Sequence, residues 1–282
     1  MKLGFNLLLW TAHMTEDIYP RCARLQKAGY DGVEVPVFAG DADFYRDVGE
    51  RLSDLGLKRT VVAIVQDEAR NPMSHDAAHR AAGLDHLKEL VDCAAALGAE
   101  VLAGPFYQPL GVFSGRGPTE DEWQALVMSQ TVMATYAHAA GVTLAVEPLN
   151  RFECYALNTC GDAARLVDAV ATPGYGYLFD TFHSNIEEAD PVAALTETLA
   201  RVTHVHISEN HRGTPGRGHI DFVPVIAALK AGGYDGWLTI EAFGHALPDI
   251  AAATKVWRPL FTSEDQVWQE GLATLRRALA SA

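Results

Sequence analysis

Residues 142–149 read VTLAVEPL, 175–183 YGYLFDTFH, 202–208 VTHVHIS and 237–243 WLTIEAF. Each is a short apolar run of strand length, and each closes on a residue that such a run rarely carries: Glu147, Asp180, His206 and Glu241. In a sheet of parallel strands the C-terminal ends share one rim, so four residues scattered between positions 147 and 241 converge in space. One polar residue ending one apolar run would mean little. Four in successive runs point to a built site.

Four further strand-like runs precede these: LGFNLLLW at 3–10, GVEVPVF at 32–38, KRTVVAIV at 58–65 and EVLAGPF at 100–106. Helical periodicity lies between them, over Asp17–Ala28, Asp76–Leu97, Glu120–Ala140 and Gly161–Val170. A last amphipathic helix is predicted over Glu264–Ala280, with Ser263 as its N-cap ahead of acidic first-turn residues. Eight strands alternating with helices predict an α/β chain folded as a (β/α)8 TIM barrel, an architecture of about 250 residues. The phrase AGYDGVEV at 28–35 returns as GGYDGWLTIE at 232–241, each placing glycine where a helix gives way to a strand. No linker or low-complexity tract divides the chain, so residues 1–282 are read as a single domain. The segment ENHRGTPGRGHIDF at 209–222 is expected to be an ordered loop, because Arg, His and Asp interrupt its glycines.

Composition narrows the function classes. The chain has 49% hydrophobic and 21% charged residues, as soluble globular proteins do. Its net charge of −14 repels phosphate backbones and acidic membrane surfaces, which argues against nucleic acid and membrane as partners. The apolar start is too short to span a bilayer and has no small-residue cleavage site after it. Cys22, Cys93, Cys154 and Cys160 show no CxxC spacing and are expected to be isolated, reduced thiols, the usage of a cytoplasmic protein.

Three carboxylates and an imidazole suit a divalent ion of the Mn, Co or Mg type better than a structural zinc, which favours thiolates. A cation would also offset the repulsion among the clustered acids. Glu153, His183 and Arg212 follow the rim residues in the same loops, where they could hold the oxygens of a polyhydroxylated ligand. His204 is expected on the side of its strand away from His206 and is left out of the site as a satisfied barrel histidine. The GTPGRG segment at 213–218 could take a phosphate but carries one clear cation, Arg217. G-x-S-x-G elbows, P-loops and a dinucleotide fingerprint after a strand are absent.

With these residues in place the chain resembles the xylose-isomerase-like barrel superfamily, and within it the ketose 3-epimerases of the D-tagatose and D-psicose type. The resemblance runs from LGFNLLLW to the terminal helix and is most specific in VEPLNRFECYALNT, LFDTFHSNIEE, HVHISENHRGTPGRGHIDF and GYDGWLTIEAF. It implies a divalent metal held by Glu147, Asp180, His206 and Glu241, with Glu147 and Glu241 doubling as the acid–base pair. Glu153, His183 and Arg212 would contact the sugar and Phe243 would help wall the pocket. The implied reaction inverts C3 of a free, small-molecule ketose through a cis-enediolate, and the implied assembly is a homodimer or homotetramer. The segments after strands one, three and four (LLLWTAHM, AIVQDEAR, GPFYQPLGVF) match no single member, which leaves the preferred ketose open. Hydroxypyruvate isomerase-like chemistry, another keto-sugar isomerase and an inosose-type dehydratase share the same logic. A repair endonuclease on this barrel would need histidines where VAIVQDE and LAGPFY have none, and a non-catalytic sugar-binding barrel should lack part of the metal set.

Overall fold

In the computed structural model, which describes residues 1–282, eight parallel strands close into a barrel in chain order. They are β1 (Lys2–Asn6), β2 (Gly32–Pro36), β3 (Lys58–Val62), β4 (Val101–Gly104), β5 (Thr143–Val146), β6 (Tyr175–Asp180), β7 (Val202–Ile207) and β8 (Trp237–Ile240). Closure is a parallel pairing of the first strand with the last, Lys2 opposite Trp237 through Phe5 opposite Ile240. The helices are α1 (Tyr19–Ala28), α2 (Ala42–Asp54), α3 (Ala77–Leu97), α4 (Glu120–Ala140), α5 (Cys160–Val170), α6 (Thr181–Glu187), α7 (Pro191–Thr198), α8 (Phe222–Ala231), α9 (Pro248–Ala253) and α10 (Glu264–Ser281). None is long and apolar enough to cross a membrane. All four cysteines are buried and unpaired.

Capping chemistry sets the helix bounds. Thr119 and Glu122 form a reciprocal capping box that starts α4, and Gly141 in the left-handed region ends it. Asp76 and Ser263 accept from the first-turn amides of Ala78 and Gln266 and start α3 and α10. Strand ends also have local causes: β2 stops at Pro36, which has no N–H to extend the ladder, and β4 stops before Pro105. The run LGFNLLLW does not stay extended to its end. The Asn6 side chain accepts from Leu8 N at 2.9 Å, and Leu7–Leu9 turn into a single 3-10 coil.

Strand alternation divides the core in two. Val33, Val35, Phe5, Val205 and Ile207 face outward into the layer shared with the helices. A smaller inner cluster of Val101, Ala103, Ala145, Leu178 and Trp237 fills the barrel. Trp237, at the N-terminal end of β8, plugs the floor: a Cβ on Gly32 would stand 2.5 Å from its ring and 2.4 Å from Lys58 O. The repeated phrase serves one geometry twice. Gly29 and Gly233 have φ of 96° and 75°, the left-handed backbone that stops a helix at little cost only for glycine. Asp31 then accepts from Leu3 N, and Asp235 pairs with the amino terminus.

Candidate active site

Four strand ends deliver the four predicted residues to the C-terminal rim. Glu147 follows β5, Asp180 ends β6, His206 lies in β7 and Glu241 follows β8, and all four are buried. Pro148 holds the Glu147 backbone extended. Asp180 is also the N-cap of α6, its Oδ1 accepting from the amides of Phe182 and His183, so one carboxylate oxygen is committed to the backbone and Oδ2 faces the site. His206 Nδ1 lies 3.5 Å from Asp180 Oδ2 and 3.4 Å from Glu241 Oε1, with no hydrogen-bond partner of its own. Ser208 Oγ bridges Asp180 Oδ2 at 3.1 Å and Glu241 Oε2 at 3.4 Å. Two groups of potential ligand atoms, each within 4.8 Å, meet at Asp180: one with His206 and Glu241, the other with Glu147 and His183. Glu147 therefore joins the set through Asp180 rather than through His206.

His183, Arg212 and Glu153 stand over this floor. The Asn150 amide donates to His183 Nδ1 at 2.9 Å, so a neutral ring carries its proton on Nε2, which lies 3.7 Å from Glu147 Oε1 and 3.3 Å from Arg212 Nη2, a donor-to-donor contact that is then no hydrogen bond. Arg212 Nη2 binds Glu153 at 3.0 Å, and its guanidinium lies 4.2 Å from the Phe182 ring centre and 5.1 Å from that of Phe243. Arg212 is one of three non-glycine residues with positive φ, at 62°, a strained backbone held here by its carbonyl accepting from Phe243 N at 2.9 Å. The cleft they share encloses about 550 Å³ including its open mouth. Its lining combines Glu147, Glu153, His183, Arg212 and Glu241 with apolar groups such as Leu8, Phe38, Ile64 and Leu110.

Electrostatics follow from burial and charge. Burial pushes Glu147 well above the usual carboxylate range and pushes Glu241 up to about 7. Asp180 falls below its ordinary value: burial opposes this, but the His206 and His183 rings outweigh it. Burial also opposes a charge on His206, yet the Glu34 and Glu241 carboxylates hold its pKa well above the ordinary value. His183 has no such support, and burial brings it down to about 4, so it is neutral at neutral pH. An unpartnered imidazole nitrogen among acids is a donor set that fits a hard or borderline divalent cation, which would take the place of the proton shared there.

The profile of one fold family, described as "Xylose isomerase-like TIM barrel", matches residues 22–278. The chain belongs to this family. An L-ribulose 3-epimerase of Mesorhizobium japonicum is 32% identical over 99% of this chain and 92% of that protein. A ketose 3-epimerase of Arthrobacter globiformis is 30% identical over 100% of this chain and 98% of its own length. The crystal structure of a D-allulose 3-epimerase from Methylomonas sp. in complex with D-allulose superposes with a TM-score of 0.91, at 28% identity, covering 99% of this chain and 97% of that one.

One sequence expectation about this xylose isomerase-like barrel needs correction, and one reading left open is answered. His204 is bonded through Nε2 at 2.8 Å to Glu34 Oε2, but its buried Nδ1 has no partner, so the ring is only half satisfied, and it does not face away from His206: residues two apart share a face, and both rings point into the barrel 5.2 Å apart. The GTPGRG segment is not an open anion cradle. The buried Glu209 carboxylate already accepts from the amides of Asn210, Gly216 and Ile220, while Arg217 reaches away to Glu270 at 2.7 Å. Sequence reasoning also passed over Glu34, Asn6, Ser208 and Asn150. The signal for Glu34 was available, since an acid midway along GVEV must point opposite to Val33 and Val35.

Proposed function

We propose that this protein epimerises a free ketose at C3 with the help of a divalent metal ion, and that Glu147 and Glu241 move the proton. The observation that carries the reading is the pairing of two buried glutamates, Glu147 and Glu241, around the Asp180–His206 centre in one cleft. They come from β5 and β8, which are separated by β6 and β7 on the ring. Inverting a carbon needs a base on one face and an acid on the other, and a single carboxylate cannot serve both without turning the substrate over. The full-length ketose 3-epimerase relatives support the substrate class.

Glu147, Asp180, His206 and Glu241 would hold the ion, of the Mn, Co or Mg type, and Asp180 and His206 would contribute no proton transfer. When bound, such an ion supplies Lewis acidity that makes the hydrogen beside the ketone acidic. One glutamate takes the C3 proton, the substrate passes through a cis-enediolate, and the second glutamate returns a proton to the opposite face. His183, neutral and with its proton on Nε2, can donate to a substrate oxygen without a charge penalty. Arg212 and Glu153, fixed by each other and by Phe182 and Phe243, offer a donor and an acceptor to hydroxyls along the chain. With Glu209 filling the GTPGRG loop, the rim has no vacant phosphate cradle there, which favours unphosphorylated sugars.

A panel of free ketoses and ketose phosphates, incubated with protein loaded with Mn²⁺ or Co²⁺ and separated by chromatography, tests the assignment. A C3 epimer of at least one free ketose, at unchanged mass, is expected. Loss of water, or turnover of phosphates alone, would overturn it.

A further inference from the structure

Below the rim, one buried carboxylate collects four donors from three strands. Glu34 of β2 accepts on Oε1 from Asn6 Nδ2 of β1 at 3.0 Å and faces His206 Nε2 of β7 at 2.7 Å. On Oε2 it accepts from Thr60 Oγ1 of β3 at 2.9 Å and faces His204 Nε2 of β7 at 2.8 Å. All five side chains are buried. We infer that Glu34 is a positioning residue for the metal centre: it keeps a proton of His206 on Nε2 and so turns Nδ1, as the nitrogen that ligates, toward Asp180 and Glu241.

An ionised carboxylate can only accept, so each atom that meets it must donate. The 2.7 Å approach therefore assigns a proton to His206 Nε2 and leaves Nδ1 as the nitrogen able to ligate. Nδ1 is also the atom without a hydrogen-bond partner, 3.4–3.5 Å from two carboxylate oxygens of the rim. Asn6 extends the same support to a second proposed ligand, its Nδ2 lying 3.1 Å from Glu241 Oε1 as well as 3.0 Å from Glu34. A metal-bound histidine whose other nitrogen donates to a carboxylate is held in one tautomer and made a better ligand.

A purely structural role would make Glu34 a polar plug that satisfies the barrel interior. His204 provides the internal control, because it makes the same bond to the same carboxylate while its Nδ1 meets no rim acid. The inference rests on the proposed metal site but not on the sugar chemistry, and its readouts need no ketose.

The test is calorimetric titration of Mn²⁺ into chelator-stripped full-length protein, comparing wild type, Glu34→Gln and His204→Gln. Glu34→Gln should weaken Mn²⁺ binding by roughly tenfold or more, within the range for such supporting carboxylates, and His204→Gln should stay near wild type. Unchanged affinity in Glu34→Gln, or equal losses in both variants, would overturn the inference. Should Glu34→Gln not fold, long-range ¹H–¹⁵N correlation on histidine-labelled wild type loaded with diamagnetic Zn²⁺ decides the same point. The proton is expected on His206 Nε2, and a proton on Nδ1 contradicts the assignment. Mn²⁺ binding without epimerisation would fault only the proposed reaction, whereas no Mn²⁺ binding by wild type would remove this inference too.

Discussion

Glu122 buries its carboxylate among donors. It is the third residue of α4, and its Oε2 accepts from Thr119 N at 2.7 Å, Thr119 Oγ1 at 2.8 Å and Arg116 Nη1 at 3.0 Å. Its Oε1 accepts from Tyr155 OH at 3.0 Å and stands 3.5 Å from His75 Nε2. One buried carboxylate thus ties the loops that follow β3, β4 and β5, the last two of which carry Leu110 and Glu153 into the cleft. Burial alone would raise its pKa, but the Thr119, Arg116 and Tyr155 donors outweigh that and hold it at about 2, from an ordinary 4.5. A shift of this size corresponds to about 3 kcal/mol at about 1.4 kcal/mol per pH unit. Solvent screening of the half-exposed Arg116 trims this to roughly 2–3 kcal/mol. Because the folded-state pKa is depressed, that stability is present in full above about pH 4.5 and is lost as pH falls toward 2. Glu122→Gln should therefore lower the melting temperature by roughly 3–6 °C at pH 7, and by a clearly smaller margin at pH 3.5, where roughly 1 kcal/mol of the contribution has gone. Thermal melts of both proteins across this range provide the assay. A difference that stays constant with pH would refute the charged-acceptor account and leave only packing.

Metal removal should be decisive for activity: EDTA is expected to abolish turnover and Mn, Co or Mg to restore it, measured on the same ketose. Glu147→Gln and Glu241→Gln keep shape but lose the proton-transfer group, so kcat should fall by roughly a hundredfold or more for each. Metal content measured alongside separates a lost acid–base group from a lost ligand. Gly32→Ala should cost several degrees of melting temperature, on the order of 1–3 kcal/mol, because its Cβ would meet Lys58 O at 2.4 Å and the Trp237 ring at 2.5 Å. A melt indistinguishable from wild type would show that the barrel floor is looser than this packing implies.

The barrel was legible because its local signals agree. Each rim residue closes a run of strand length, and α4 has sequence-readable ends in Thr119 and Gly141, so its observed span equals the expected Glu120–Ala140. The limits lay where a side chain overrides a pattern or a partner is remote. Asn6 bends an apolar run into a 3-10 turn through one hydrogen bond to Leu8 N. Glu34 meets His206 across the barrel, between β2 and β7, and no periodicity within either strand encodes that meeting. His204 was misjudged for a plainer reason: applied correctly, the two-residue period puts it on the His206 side. Glu209 escaped notice because a glycine-rich loop invites a search for an external anion, when the loop supplies its own.

Isotope labelling in deuterated water tests proton exchange at C3 by two opposed carboxylates most directly. The purified, metal-loaded protein is incubated in D₂O with a free ketose it converts, and the epimer is analysed by NMR at low conversion. Solvent deuterium at C3 of the product, with none at C1, is the expected result. Epimer formed without label at C3 would contradict exchange through Glu147 and Glu241, and label at C1 would reassign the same centre to aldose–ketose isomerisation.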